Sequence, residues 1–154
     1  MPHLHDKIDL TVSVFIVFNN QVLLRKHEKY DKWLAVGGHV ELDEDPNQAA
    51  IREVKEEVGL DVQLYNDKDF DHQSEDYQEL IAPQFINRHR VSPTHEHVDM
   101  VYFAIAVSDK TEETAEKSQG LKWFSKDELS DPQYGVSQAM IAYAQAALTK
   151  LYKK

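Results

Sequence analysis

The sequence predicts an α/β fold, a mixed β-sheet with helices packed on it, and three features carry that expectation. Strand-like segments lie before, between and beside helical ones rather than in separate blocks. Residues 98–107 (VDMVYFAIAV) form a nearly continuous apolar run, the pattern of a strand covered on both faces. Residues 46–58 carry helical periodicity between clear start and stop signals. At 154 residues the chain has enough sequence for one sizeable core and is short for two, and no repeat or Gly/Ser-rich linker divides it. A single domain over residues 1–154 is expected.

Residues 8–18 (IDLTVSVFIVF) are rich in β-branched and aromatic side chains, and Asn19-Asn20 offers a turn into residues 21–26 (QVLLRK). That pattern predicts a β-hairpin. Residues 33–36 predict a short strand running into Gly37-Gly38. Asp45 can cap the helix over 46–58, with Pro46 at its first position and Gly59 just past its end. Residues 80–90 and 98–107 read as further strands, and residues 121–124 as a short one. Ser125 followed by Glu128 is a capping-box pattern for a helical turn over 126–129. A final helix over about 137–152 places Met140, Tyr143, Ala144, Ala147 and Leu151 at spacings of three and four.

The formal net charge of −10 is unevenly placed: residues 41–57 and residues 67–79 each carry −5, and the remainder balances. An acidic chain is a poor partner for a phosphate backbone, so a nucleic acid polymer is disfavoured. A small phosphate ester brought in with a metal ion stays open. The absence of Cys removes disulfides, thiolate nucleophiles and Cys-based zinc sites. No apolar run approaches the ~20 residues needed to cross a bilayer, and the opening MPHLHDK has no apolar signal core. A cytoplasmic protein without a membrane partner is expected.

On the helix from Pro46, at about 100° per residue, Ile51, Val54 and Val58 centre on one direction and Glu53, Glu56 and Glu57 centre about 140° away. Like charges three and four apart repel and raise at least one pKa, a cost that invites a compensating cation. The plainer reading is a solvated acidic face. Upstream, however, lies Gly37-Gly38 at the end of a strand, then a six-residue stretch to Glu44 that includes Glu41 and Asp43. A glycine pair lets the backbone turn sharply and approach a ligand. Carboxylates with a backbone carbonyl make a hard oxygen site, which suits Mg²⁺ or Mn²⁺ better than a soft metal.

The pattern Gly38-x5-Glu44-x7-Arg52-Glu53-Val54-x-Glu56-Glu57-x-Gly59-Leu60, here GHVELDEDPNQAAIREVKEEVGL, resembles an unbroken Nudix box, the signature of the Nudix (MutT-like) hydrolases. The QVLLRK and LKWFSKDEL segments are similar to flanks common in that family. The resemblance implies an α/β/α sandwich in which the box forms a strand–loop–helix beside the mixed sheet. It also implies divalent-metal-dependent hydrolysis of a diphosphate bond in a nucleoside diphosphate linked to another moiety: a nucleotide sugar, ADP-ribose or a noncanonical nucleoside triphosphate. By the same resemblance Glu53, Glu56 and Glu57, with the Gly38 carbonyl, bind Mg²⁺ or Mn²⁺. Arg52 pairs with a box carboxylate, Glu44 shapes the loop and supports the metal shell, and Leu60 packs beneath the helix. Glu53 or Glu56 is the expected base toward water, with Glu116, in the loop before LKWFS, as the distant candidate. Dimers are common among such enzymes, so a homodimer is the expected assembly.

Outside the box, Arg25 is expected to contact phosphate, with a structural ion pair as the alternative. His39 either contacts substrate or faces water. Trp33 and Phe85 are expected in the core. His95 and His97 share one face of a strand, a spacing that permits metal binding, but the sequence identifies no third ligand. Asp67, Asp69 and Asp71 imitate the start of an EF-hand loop, yet His72 and Gln78 stand where Gly and Glu are needed, so residues 67–79 read as a solvated loop or hairpin tip. The competing class is a non-catalytic nucleotide-binding sensor on the same fold. A complete carboxylate set argues against it.

Overall fold

A computed structural model describes residues 7–112 and 118–154, the side chains of residues 118 and 119 excepted. The chain opens with β1 (Ile8–Phe18) and β2 (Gln21–His27), joined by Asn19 and Asn20 at φ 48° and 58°. Asn tolerates this left-handed conformation, and two such residues make the tight turn that matches strand twist. Strands β3 (Lys32–Leu34) and β4 (Val36–His39) lead to helix α1 (Pro46–Val58), which is followed by β5 (Val62–Leu64). A separate two-stranded hairpin, β6 (Gln73–Ser74) and β7 (Tyr77–Gln78), precedes β8 (Phe85–Ser92) and β9 (His95–Ala106). Then come β10 (Ser118–Phe124), the short α2 (Lys126–Leu129), a 3-10 turn at Pro132–Tyr134 and α3 (Gln138–Lys150).

The main sheet runs β10-β2-β1-β9-β5, with β3 on β2, β4 on β1 and β8 on β9. It is mixed as expected: β1 and β9 pair in parallel from Ile8↔Glu96 to Val17↔Ile105, and the other pairs are antiparallel. One edge of β1 serves two neighbours, β4 as far as Val14 and β2 from Ile16 onward. Helix α1 covers one face, burying Ala49, Ala50, Val54 and Val58 against Val12, Val14, Val36, Tyr102 and Ala104. Helix α3 covers the other with Ala144, Ala147 and Leu148 against Phe15, Val17, Phe103 and Phe124. Each fully buried Val, Leu or Phe contributes about 1.5–3 kcal/mol, so the two faces together supply the driving force for the α/β/α sandwich. Among the described residues, no helix is long and apolar enough to cross a membrane.

Both helix caps of α1 form as the sequence indicates. The Asp45 carboxylate accepts the Gln48 N–H at 2.9 Å and the Gln48 side chain accepts the Asp45 N–H at 2.9 Å, while Gly59 ends the helix at φ 71°. Four expectations are corrected. Gly37 and Gly38 lie inside β4, paired with Ser13 and Val12, and make no turn. The strand expected from residue 80 starts at Phe85, because Asn47 holds Ile81 by two hydrogen bonds and Pro83 has no N–H to give a ladder. Phe85 itself is 44% exposed, since among the described strands β8 pairs with β9 alone and lies at the sheet edge, although its ring still meets Phe103 and Tyr143. Ile51 is 47% exposed, because the contact seam of α1 centres on Ala50 and not on Val54. Trp33 is half-buried, its ring edge-on to Phe124 at 5.0 Å. The 67–79 segment is an exposed hairpin with its tip at Glu75-Asp76, as the solvated reading has it.

Candidate active site

At about 100° per residue, Glu53 and Glu57 stand within 60° of Ala50, so a helix seated through Ala50 turns both carboxyls toward the sheet. The solvated-face reading therefore fails for two of the three glutamates. Glu53 is 4% exposed, the Glu57 side chain is buried, and Glu56 alone faces water at 60% side-chain exposure. Space for Glu53 comes from the strand beneath: a Cβ on Gly38 would sit 2.2 Å from Glu53 Oε1. Gly37 permits an even closer approach of backbone to backbone, since a Cβ there would lie 2.0 Å from the Val12 carbonyl oxygen.

Burial is the dominant influence on both inward carboxyls. It pushes Glu57 up to about 8, against the opposing pull of Arg25, and it raises Glu53 despite the guanidinium of Arg52. The two side chains are hydrogen-bonded to each other, and the Gly37 N–H reaches Glu57. Arg25 Nε lies 2.6 Å from Glu57 Oε2, both side chains being largely buried. The ion-pair reading of Arg25 is thus what the geometry shows, although Arg25 also lines the neighbouring cavity.

Arg52 ties the remaining parts together. Its Nε and Nη2 donate to the two oxygens of Glu44 at 3.0 and 2.7 Å, its Nη1 donates to Glu53 Oε1 and Glu56 Oε2, both at 3.0 Å, and Nη2 also donates to the His39 carbonyl at 3.1 Å. This forked arrangement suits a planar guanidinium and no other cation. It holds the Glu44 carboxyl below the usual range, and Glu44 in turn accepts the Glu41 N–H at 3.0 Å, which fixes the loop between β4 and α1. Glu116 lies outside the described residues.

On the opposite face of the sheet a cavity of about 760 Å³ is bordered by Gly37, Gly38, Arg25, Tyr30, Asn87, His89 and Tyr143. Its size is that of a small-molecule site. His39 does not face water: its ring is mostly buried, with Nε2 at 3.2 Å from Asp9 Oδ2. The same oxygen lies 3.1 Å from His95 Nε2. His97 packs edge-on to His39, His89 and His95, and burial together with those three neighbours pushes its imidazole down to about 4. Asp9, His95 and His97 each place one ligand atom within 4.8 Å of the others. The third group absent from the sequence reading is therefore Asp9, brought in by the parallel register that sets it opposite His97. Asn87, His89 and Tyr143 were also not foreseen; the period-two alternation of β8 could have placed the first two on one face.

A NUDIX domain family model matches residues 7–144. The chain is 38% identical to a hydrolase of the NUDIX family from Clostridium perfringens whose crystal structure superposes with a TM-score of 0.84, covering 96% of this chain and 99% of that one. It is 34% identical, over 58% of its length and 54% of the relative, to the dihydroneopterin triphosphate diphosphatase of Haemophilus influenzae. A Bacillus subtilis protein provisionally named an ADP-ribose pyrophosphatase is 25% identical over 80% of this chain and 52% of that protein. The chain thus spans about half the length of the curated relatives it matches.

Proposed function

Since the chain belongs to the NUDIX family, we propose that it is a pyrophosphohydrolase that cleaves a diphosphate bond in a nucleoside diphosphate linked to another moiety, with Mg²⁺ or Mn²⁺ as cofactor. The observation that carries this reading is the Glu53–Glu57 carboxyl pair, turned toward the sheet with Glu53 seated over a strand glycine and tied to Glu44 and Glu56 through Arg52. Two carboxyls crowded together away from water favour a cation between them, and hard oxygen donors fit a divalent ion of this kind. Glu53, Glu56, Glu57 and the Gly38 carbonyl would hold it. When bound, such ions neutralise a diphosphate, acidify a water and stabilise the departing phosphate.

The chain's own residues divide the remaining work. Arg52 fixes Glu53 and Glu56 in a single orientation, and Glu44 fixes Arg52. Of the two candidate bases, exposure favours Glu56, whose side chain reaches solvent, while Glu53 is enclosed. Arg25, paired with Glu57 at the cavity wall, would meet a substrate phosphate there, its guanidinium being suited to bidentate contact. The cavity of about 760 Å³ would receive the organic part of the substrate.

Replacing Glu56 by Gln should lower kcat by about 10²- to 10⁴-fold, the range of a lost general base, with the circular dichroism spectrum unchanged. Turnover equal to that of the parent chain would sink the assignment. A panel of dihydroneopterin triphosphate, ADP-ribose, nucleotide sugars and noncanonical nucleoside triphosphates, each with and without Mg²⁺, identifies the substrate by phosphate or pyrophosphate release. Equal rates without divalent metal would refute the cofactor.

A further inference from the structure

We propose that Asp9, His95 and His97, with His39 beside Asp9, form a second metal site, nitrogen-rich and suited to a Zn²⁺-class ion, on the face of the sheet away from α1. Three strands converge to build it. The parallel β1–β9 register sets Asp9 opposite His97, the β1–β4 register brings in His39 opposite Thr11, two residues further along β1 and on the same face, and alternation along β9 puts His95 and His97 on that face too. Asp9 is 1% exposed and His95 is also buried, so the donors are held by the core and not by a surface loop.

The distances fit a coordination shell. Metal–nitrogen and metal–oxygen bonds of about 2.0–2.2 Å in a tetrahedral site leave neighbouring ligand atoms roughly 3.3 Å apart. Asp9 Oδ2 stands 3.1 Å from His95 Nε2 and 3.2 Å from His39 Nε2. His97 offers a ligand atom within 4.8 Å of the Asp9 and His95 atoms, so ligation would draw these three groups together, with His39 held beside them through Asp9. Imidazoles with one carboxylate select Zn²⁺, Co²⁺, Ni²⁺ or Cu²⁺ over Mg²⁺, which prefers oxygen ligands. The donor sets of the two sites therefore sort different ions. His89, edge-on to His97 at 5.4 Å and bonded through Nδ1 to Asn87 Oδ1 at 2.8 Å, is placed to orient the His97 ring.

The site also joins the box. The His39 ring belongs to this cluster and its carbonyl accepts from Arg52, the residue that orients Glu44, Glu53 and Glu56. An ion bound here would clamp the start of β1 to β4 and β9 and steady that carbonyl, acting as a structural support beside the catalytic carboxylates.

Co²⁺ titration of the full chain, stripped of metal, separates the two sites. A nitrogen-rich tetrahedral site gives an intense visible band, whereas a six-coordinate oxygen site gives a weak one. One equivalent of the intense band should form in the parent chain and persist in the double variant Glu53→Gln, Glu57→Gln. One equivalent of Zn²⁺ should remove it and excess Mg²⁺ should not. His97→Ala and, separately, His39→Ala should each weaken Zn²⁺ affinity at least about tenfold by calorimetry. Zn²⁺ should raise the melting temperature of the parent chain more than that of either variant. Absence of the band in the parent chain, or equal Zn²⁺ affinity in parent and both variants, overturns the proposal and leaves a hydrogen-bonded Asp–His cluster. Loss of the band on changing Glu53 and Glu57 alone overturns it in favour of the box carboxylates.

Discussion

A single carboxyl illustrates how burial becomes a measurable pH dependence. With its folded-state value raised to about 8, Glu57 holds its proton more tightly in the native than in the unfolded chain. Its contribution to stability is fully present below pH 4.5 and is lost as pH rises through about 8. The metal-free protein should therefore lose stability between about pH 5 and 8 relative to Glu57→Gln, in urea titrations at each pH; parallel curves for the two proteins would contradict the assignment. Over the same window divalent-metal binding should release a proton and tighten with pH. The neighbouring glycines give a second residue-level test with two different outcomes. Gly38→Ala places its Cβ against the carboxyl of Glu53, a side chain that can swing aside, so metal affinity and turnover should fall further than the melting temperature. Gly37→Ala drives its Cβ into the Val12 carbonyl, which cannot move without breaking the sheet. A destabilisation of about 1–3 kcal/mol or more is expected there in denaturant unfolding.

At the scale of elements, α1 was legible in its limits and not in its orientation. Asp45, Pro46 and Gly59 act locally, so a reader of the sequence can place both ends, and Asp45→Ala should cost about 1 kcal/mol in thermal unfolding by removing the acceptor for the Gln48 N–H. Which side of α1 faces inward depends on Gly37 and Gly38, on another element and without side chains, and periodicity in the helix contains no record of them. Hence Ile51 was expected inside and Glu53 outside, the reverse of what the packing requires. The hairpin of β1 and β2 was legible because Asn19-Asn20 is a local signal. The Asp9–His95–His97 cluster was half legible: alternation along β9 pairs the histidines, but Asp9 arrives through a parallel register between strands that are 86 residues apart at the Asp9–His95 contact.

Across the whole molecule, the two acidic windows have separate fates. The 41–57 window folds into an Arg52-centred network around buried carboxyls, whereas the 67–79 window stays exposed on its own hairpin. Changing Asp67, Asp69 and Asp71 together to Asn should leave the melting temperature within about 2 °C and the Mg²⁺ dependence of turnover unchanged, because exposed charges contribute little, the loose Asp67–Lys68 pair included. A large shift in either would assign that hairpin a role at the site. The parallel pairing of β1 with β9 has a kinetic consequence. Strand β1 hydrogen-bonds from Ile8 to Val17 to a strand that is synthesised much later, with Thr11 meeting Asp99 across 88 residues. At 5–20 residues per second, β1 waits roughly 4–20 s for that partner, so its apolar residues stay unprotected through much of synthesis. The central sheet must close late, and the folding rate should be set by that one long-range encounter and not by the rapid local formation of α1 or the β1–β2 hairpin.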